Sequence, residues 1–141
     1  ENMIYVNQPY YHYRHDVRTS LTTTYKPNLD QQWNTLYGII EGMIHEHHLG
    51  EVYTKALHNR IALNIIGCGL NCVNDRASLL EKYKRVRTVL KTNTVRRKAL
   101  KQLSLQYMPL HWKAFFLAAK CNCSIMVFAL LLTINRLRGT K

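Results

Sequence analysis

Read for the spacing of its apolar residues, the chain changes character near residue 28. Before that point the pattern is β-like. Met3–Val6 is a short apolar run ending at the turn signal Asn7-Gln8-Pro9, and residues 10–16 resume as an alternation. Tyr11, Tyr13 and His15 fall on one face of that alternation, with His12, Arg14 and Asp16 on the other. Residues 16–26 are polar and threonine-rich and read as a loop.

From Leu29 onward the period is helical. Leu29, Trp33, Leu36, Tyr37, Ile40, Met43 and Ile44 lie on one face, behind Asn28 as N-cap with Gln31 as its capping-box partner, and Gly50 is a stop. A second helix, about 51–73, is apolar on nearly all sides from Ile61 to Val73, which predicts the buried centre of the fold. Gly67 and Gly69 within it suggest the close approach of a neighbouring helix. Asn74-Asp75 opens a third helix, with Leu79, Leu80, Tyr83, Val86 and Leu90 inward and Lys82, Lys84, Arg85, Arg87 and Lys91 outward. Residues 93–103 form a short fourth helix, again basic outside, and residues 110–120 place Trp112, Phe115, Phe116 and Ala119 on one face with Lys113 and Lys120 at its edges. Residues 125–134 are apolar except for Thr133, about half of the ~20 residues that a membrane span needs, and Arg136, Arg138 and Lys141 follow. Such a pair of tail helices either lies in the headgroup region of a bilayer or docks on the protein.

The formal net charge of the 141 residues is +12, and it is unevenly placed. Residues 1–75 carry five basic side chains against seven acidic, while residues 76–141 carry fifteen basic against Glu81 alone. A half that basic suits an anionic neighbour: nucleic acid, acidic phospholipid or a phosphorylated substrate. The basic face of 82–101 has no interleaved aromatic residues and no RNP-type or zinc-knuckle pattern, which argues against nucleic acid. The neighbouring Trp112/Phe115/Phe116 stripe, with Lys113, Lys120, Arg136 and Arg138, favours an anionic membrane surface instead, and a merely solvated basic face is the plainer alternative. On composition alone, a non-enzymatic basic helical module that binds nucleic acid or an anionic membrane stays open.

The cysteines, Cys68-x-x-x-Cys72 and Cys121-x-Cys123, match no zinc knuckle and read as buried reduced thiols. His45, His47 and His48 lack the spacing of a metalloprotease helix and read as a solvated polar helix end. The chain opens in mid-strand at Glu1, without the layout of a signal peptide, and reads as a cut.

The chemistry is concentrated in "YYHYRHDVRTSLTT", residues 10–23. An arginine ending a strand, followed by a Ser/Thr loop, can grip a pyrophosphate, with Arg14 as a two-pronged donor and Ser20 and backbone amides adding directional donors. The plainer reading is an edge strand with a polar loop.

This segment, followed by "YKPNLDQQWNTLYGIIEGMI", "LHNRIALNIIGCGLN" and "YMPLHWKAFFLAAKCN…LLLTINRLRG", resembles the C-terminal part of a bacterial family 2 glycosyltransferase over essentially the whole chain. The resemblance implies a mainly α fold. A short N-terminal β element (1–28) would end a GT-A α/β sheet, followed by a helical C-terminal bundle (29–108) and amphipathic tail helices (109–141). It also implies a cytoplasmic enzyme peripheral to the inner membrane, passing a sugar from a nucleotide-sugar donor, a UDP-sugar in the first instance, to a polysaccharide or lipid-linked acceptor. Arg14 and Ser20 would contact the donor pyrophosphate, with His12 and Arg18 as further candidates. Many relatives place the serine five residues after the arginine, whereas here the interval is six. The divalent metal (Mg or Mn) of such enzymes sits on an Asp-x-Asp motif, and Asp16, Asp30 and Asp75 are isolated from one another. The metal ligands and the base are therefore expected upstream of Glu1, leaving these residues inactive alone. The apolar helices could equally bury a homodimer contact.

Overall fold

The computed structural model describes residues 24–91 and 93–139. The two β-like runs and the candidate donor residues His12, Arg14, Arg18 and Ser20 lie outside the described residues. The rest is helical: α1 (Leu29–Glu46), α2 (Glu51–Leu63), α3 (Ile65–Asn74), α4 (Leu79–Lys91), α5 (Thr94–Gln102), α6 (Leu110–Lys120) and α7 (Ser124–Gly139).

The predicted helix 51–73 is two segments. At Asn64 the backbone tightens to φ −66°, ψ −11°, while Asn64 N–H still donates to the Arg60 carbonyl and Cys68 N–H to the Asn64 carbonyl, each at 3.0 Å. The ladder continues through a local 3-10-like turn. This bent pair is the centre of the molecule, as its apolar run predicts. Helix α2 packs on α1 and α5 and helix α3 on α4 and α7, and Leu57, Ile61 and Ala62 of α2 are buried in one core with Ile65, Cys68, Leu70 and Val73 of α3.

Helices α1 and α6 end in the same way. After each, the residue two beyond the last helical position is left-handed, His48 at φ 49° and Asn122 at φ 57°. Leu49 N–H then returns to the Ile44 carbonyl and Cys123 N–H to the Ala118 carbonyl, both at 2.9 Å. These are Schellman closures made without glycine. Helix α1 therefore stops at Glu46, short of the expected Gly50, and leaves His45, His47 and His48 exposed. Asn28 occupies the N-cap position, but its backbone is not extended and its side chain makes no capping bond. The third helix starts at Leu79 and not at Asn74-Asp75, with Ser78 Oγ accepting from Glu81 N–H at 3.3 Å.

Gly69 meets α7 closely: a Cβ built on it would lie 2.6 Å from Leu131 Cδ1, and Leu131 is itself fully buried. Gly67, two residues earlier, is exposed and would meet only the Asn64 side chain, at 3.1 Å. Gly69→Val should lose about 1–3 kcal/mol through overpacking. The urea midpoint checks this, and an unchanged or raised midpoint would contradict the α3–α7 contact.

Candidate functional site

Two regions combine charge with accessible surface. The first is where the chain arrives from the Arg14–Ser20 segment. Lys26 N–H donates to Asn71 Oδ1 and Asn71 Nδ2 donates back to the Lys26 carbonyl, each at 2.8 Å, so α3 holds this backbone in both directions. A cleft of about 250 Å³ beside this clamp is lined by Thr24, Lys26, Trp33, Asn71 and Arg138. Arg138, expected at a membrane face, is exposed and lines this cleft with Thr24 and Lys26.

On the other side of the clamp, a cleft of about 190 Å³ is lined by Tyr25, Asp30, Cys68, Cys72 and Arg85. Its charges are already paired. Arg85 binds Asp75 and stacks over the Tyr25 ring at 4.9 Å, and Arg96 binds Asp30 from beneath. Burial pushes the Cys68 thiol up to about 12 and the Cys72 thiol up to about 11, against the partial opposition of the nearby guanidinium groups. Both stay protonated near neutrality, which disfavours either as a nucleophile. Cys121 and Cys123 are exposed, which corrects the expectation that all four are buried.

Several residues assigned to a basic outer face are not on it. Arg96 is completely buried, and Arg85 is held by Asp75 and Tyr25. Leu79 and Leu80, expected inside, are exposed, and the inward face of α4 is Val86, Val89 and Leu90, with Tyr83 edge-on to Phe128.

The second region is the hairpin of α6 and α7. Phe115 and Phe116 are each 1 % exposed, and Trp112 packs partly buried against the same core, with Trp112–Phe115 and Phe115–Phe116 meeting edge to face. This corrects their assignment to membrane contact, because the bundle itself covers the stripe. Lys120 Nζ donates to the Leu103 carbonyl at 2.6 Å and the Lys101 carbonyl at 3.4 Å, closing the C-terminal end of α5. Lys113 is half-buried, and Arg136 is exposed near the end of α7. Residues 110–139 share one hydrophobic core with α1–α5, so the core does not divide at residue 109.

What the hairpin exposes is apolar all the same. On α6 and its C-cap the outward residues include Leu110, Ala114, Leu117 and Cys121, at i, i+4, i+7 and i+11; on α7 they include Ile125, Met126, Ala129 and Leu137. Sequence reasoning missed this face because the aromatic stripe on the opposite side of α6 carried the stronger signal.

A third cleft, about 530 Å³, lies between α2 and the end of α5 and is lined by Glu51, Lys55, His58, Asn59, Gln102 and Ser104. It is open and polar, with His58 Nδ1 at 2.8 Å from Gln102 Oε1 and an exposed Lys55–Glu51 pair. Among the described residues no group of three or more His, Cys, Asp or Glu side chains could hold a metal ion, and no helix is long and apolar enough to cross a membrane. No family model, curated protein or solved structure matches the chain.

Proposed function

We propose that this chain is the C-terminal portion of a glycosyltransferase that passes a sugar from a nucleotide-sugar donor to a polysaccharide or lipid-linked acceptor at the cytoplasmic face of the inner membrane. The observation that supports it best is the junction at Lys26. The segment carrying Arg14, Arg18 and Ser20 leads directly into a backbone clamp on α3, in a cleft that also holds Lys26 and Arg138. A loop that must grip a diphosphate needs a fixed end and surrounding positive charge, and the helical bundle supplies both.

In this reading Arg14 and Ser20 hold the pyrophosphate, with His12 and Arg18 beside them. The divalent metal of the donor complex and the catalytic base depend on carboxylates other than the isolated Asp16, Asp30 and Asp75. The bundle's task is to hold the donor loop and to bring the enzyme to the surface where its acceptor lies.

In the enzyme that carries the metal and base segments, Arg14→Ala should lower kcat/KM for the donor about 10–100-fold, the worth of one charge-assisted hydrogen-bonding group. Lys84→Ala, on the exposed face of α4, should leave donor use near its original value. Equal losses in steady-state assays of the two variants would count against the pyrophosphate role.

A further inference from the structure

Two faces of the bundle expose apolar side chains in quantity, and charge separates them. On α1 and the start of α2 the exposed residues Leu36, Ile39, Met43 and Val52 share their helices with the exposed carboxylates Glu41, Glu46 and Glu51. On the α6–α7 hairpin the exposed apolar residues include Leu110, Leu117, Ile125 and Met126, and there is no acidic residue anywhere after Glu81. The neighbouring charges are all positive. Lys120 lies one turn beyond Leu117, and Arg97 and Lys101, at i and i+4 on α5, line the same shallow cleft as Lys120 and Asn122.

We propose that the α6–α7 hairpin docks on the surface of an anionic phospholipid leaflet, with Leu110, Leu117, Ile125 and Met126 in the acyl boundary and Arg97, Lys101 and Lys120 against the lipid phosphates. This rests on the membrane-surface part of the function proposed above and assigns it to particular residues.

Three features fit a headgroup surface better than a soluble ligand. The cleft between Arg97, Lys101 and Lys120 has room for about 20 Å³, too little to enclose a phosphate group, so the cations must meet it from the side. Lys120 is already fixed by two carbonyls and its ammonium is in place before any ligand arrives, so ordering it costs little. Leu117 at 57 % exposure and Ile125 at 71 % leave apolar area in water that a soluble anion would not cover but an acyl boundary would. The helix is too short to cross, so the hairpin lies along the surface. A leaflet is less drawn to the α1 face, where Glu41 and Glu46 accompany the apolar residues, than to this one, which has no carboxylate.

The test is co-sedimentation of the full chain with vesicles of phosphatidylcholine alone or mixed with phosphatidylserine, at low and high salt. Binding is expected to the mixed vesicles only, and to weaken with salt. Arg97→Gln/Lys101→Gln should weaken it about 30-fold, and Leu117→Ser/Ile125→Ser about tenfold or more. Leu36→Ser/Ile39→Ser on α1 should leave it unchanged, and circular dichroism and the thermal midpoint confirm that each variant is folded. Mixed-vesicle binding that survives both hairpin variants, or that is lost with the α1 variant, overturns this placement while leaving the membrane-surface reading standing. Binding to neither vesicle overturns both, and the donor assay with Arg14→Ala then judges the glycosyltransferase reading by itself.

Discussion

Replacing Arg96 with alanine is expected to cost about 2–5 kcal/mol of folding stability, the range for truncating a large, fully buried side chain. The side chain has no solvent exposure. From α5 its Nη1 donates to the Val89 carbonyl of α4 at 3.0 Å, its Nη2 donates to Asp30 Oδ1 of α1, and the same nitrogen lies 3.9 Å from Cys68 Sγ of α3. One guanidinium therefore joins four helices. Truncation leaves a cavity as well as a carbonyl without its donor, and the cavity and desolvation costs add.

Asp30 is the more exposed partner. Its side chain is 39 % exposed, so water can solvate the carboxylate once the arginine is gone. Asp30→Asn is the reverse case, leaving a fully buried guanidinium without its counter-charge, and a loss comparable with that of Arg96→Ala is expected. Arg96→Lys should recover only part of the loss, because an ammonium cannot span the Val89 carbonyl and Asp30 as a planar fork does. Arg96→Met is the informative third variant. Arg96 Nε has no hydrogen-bond partner, so the native site already carries a cost that an apolar chain of similar length avoids. Urea unfolding of the four proteins decides the matter, and a loss below about 1 kcal/mol for Arg96→Ala would mean that the core closes without its charge.

The helix pattern was legible from spacing alone, and so was the buried centre at Ile61–Val73. Arg96 was readable too, though it was read as an outside residue. It stands at i of the stripe Arg96, Ala99, Leu100, Leu103, and all four are buried. The period places a residue on a face whatever its type, and the preference for assigning arginine to solvent overrode the geometry. The start of α4 is a similar case: Ser78-x-x-Glu81 is a capping-box signature, and it competes directly with Asn74-Asp75 as the opening of the helix.

The α6 stripe differs in kind. Spacing correctly puts Trp112, Phe115, Phe116 and Ala119 on one face, and an apolar face must be covered. Nothing local says whether lipid or protein covers it. That depends on the position of α2, α5 and α7, which is tertiary information. Arg14 and Ser20 are the reverse case, since the residue types that make them candidates are in the sequence while their geometry lies outside the described residues.

The four thiols should separate into two classes under a disulfide-exchange reagent at pH 8: Cys121 and Cys123 at once, Cys68 and Cys72 only on unfolding. Access and ionisation act in the same direction. Cys68 is 2 % exposed and Cys72 7 %, whereas the other pair flanks the open turn at Asn122. The attacking species is the thiolate, and raising a thiol from its ordinary value near 8.5 to the values near 12 and 11 lowers the thiolate fraction at pH 8 by about 10²–10³ before access is considered. The same shifts make stability depend on pH. Because burial raises both values in the folded state, the folded protein retains protons that the unfolded chain releases above about pH 8.5–9. Their contribution is whole below that point and is lost as pH rises towards 11 and then 12. The urea midpoint should therefore fall through the alkaline range. Cys72→Ala should flatten the fall, since it removes one of the two groups, at the expense of a small cavity at every pH. Prompt reaction of all four thiols in the native protein would mean that the Tyr25–Arg85 side of α3 opens on the time scale of the assay, and the clamp at Lys26 and Asn71 would then be a moving joint instead of the fixed end that the proposed function asks of it.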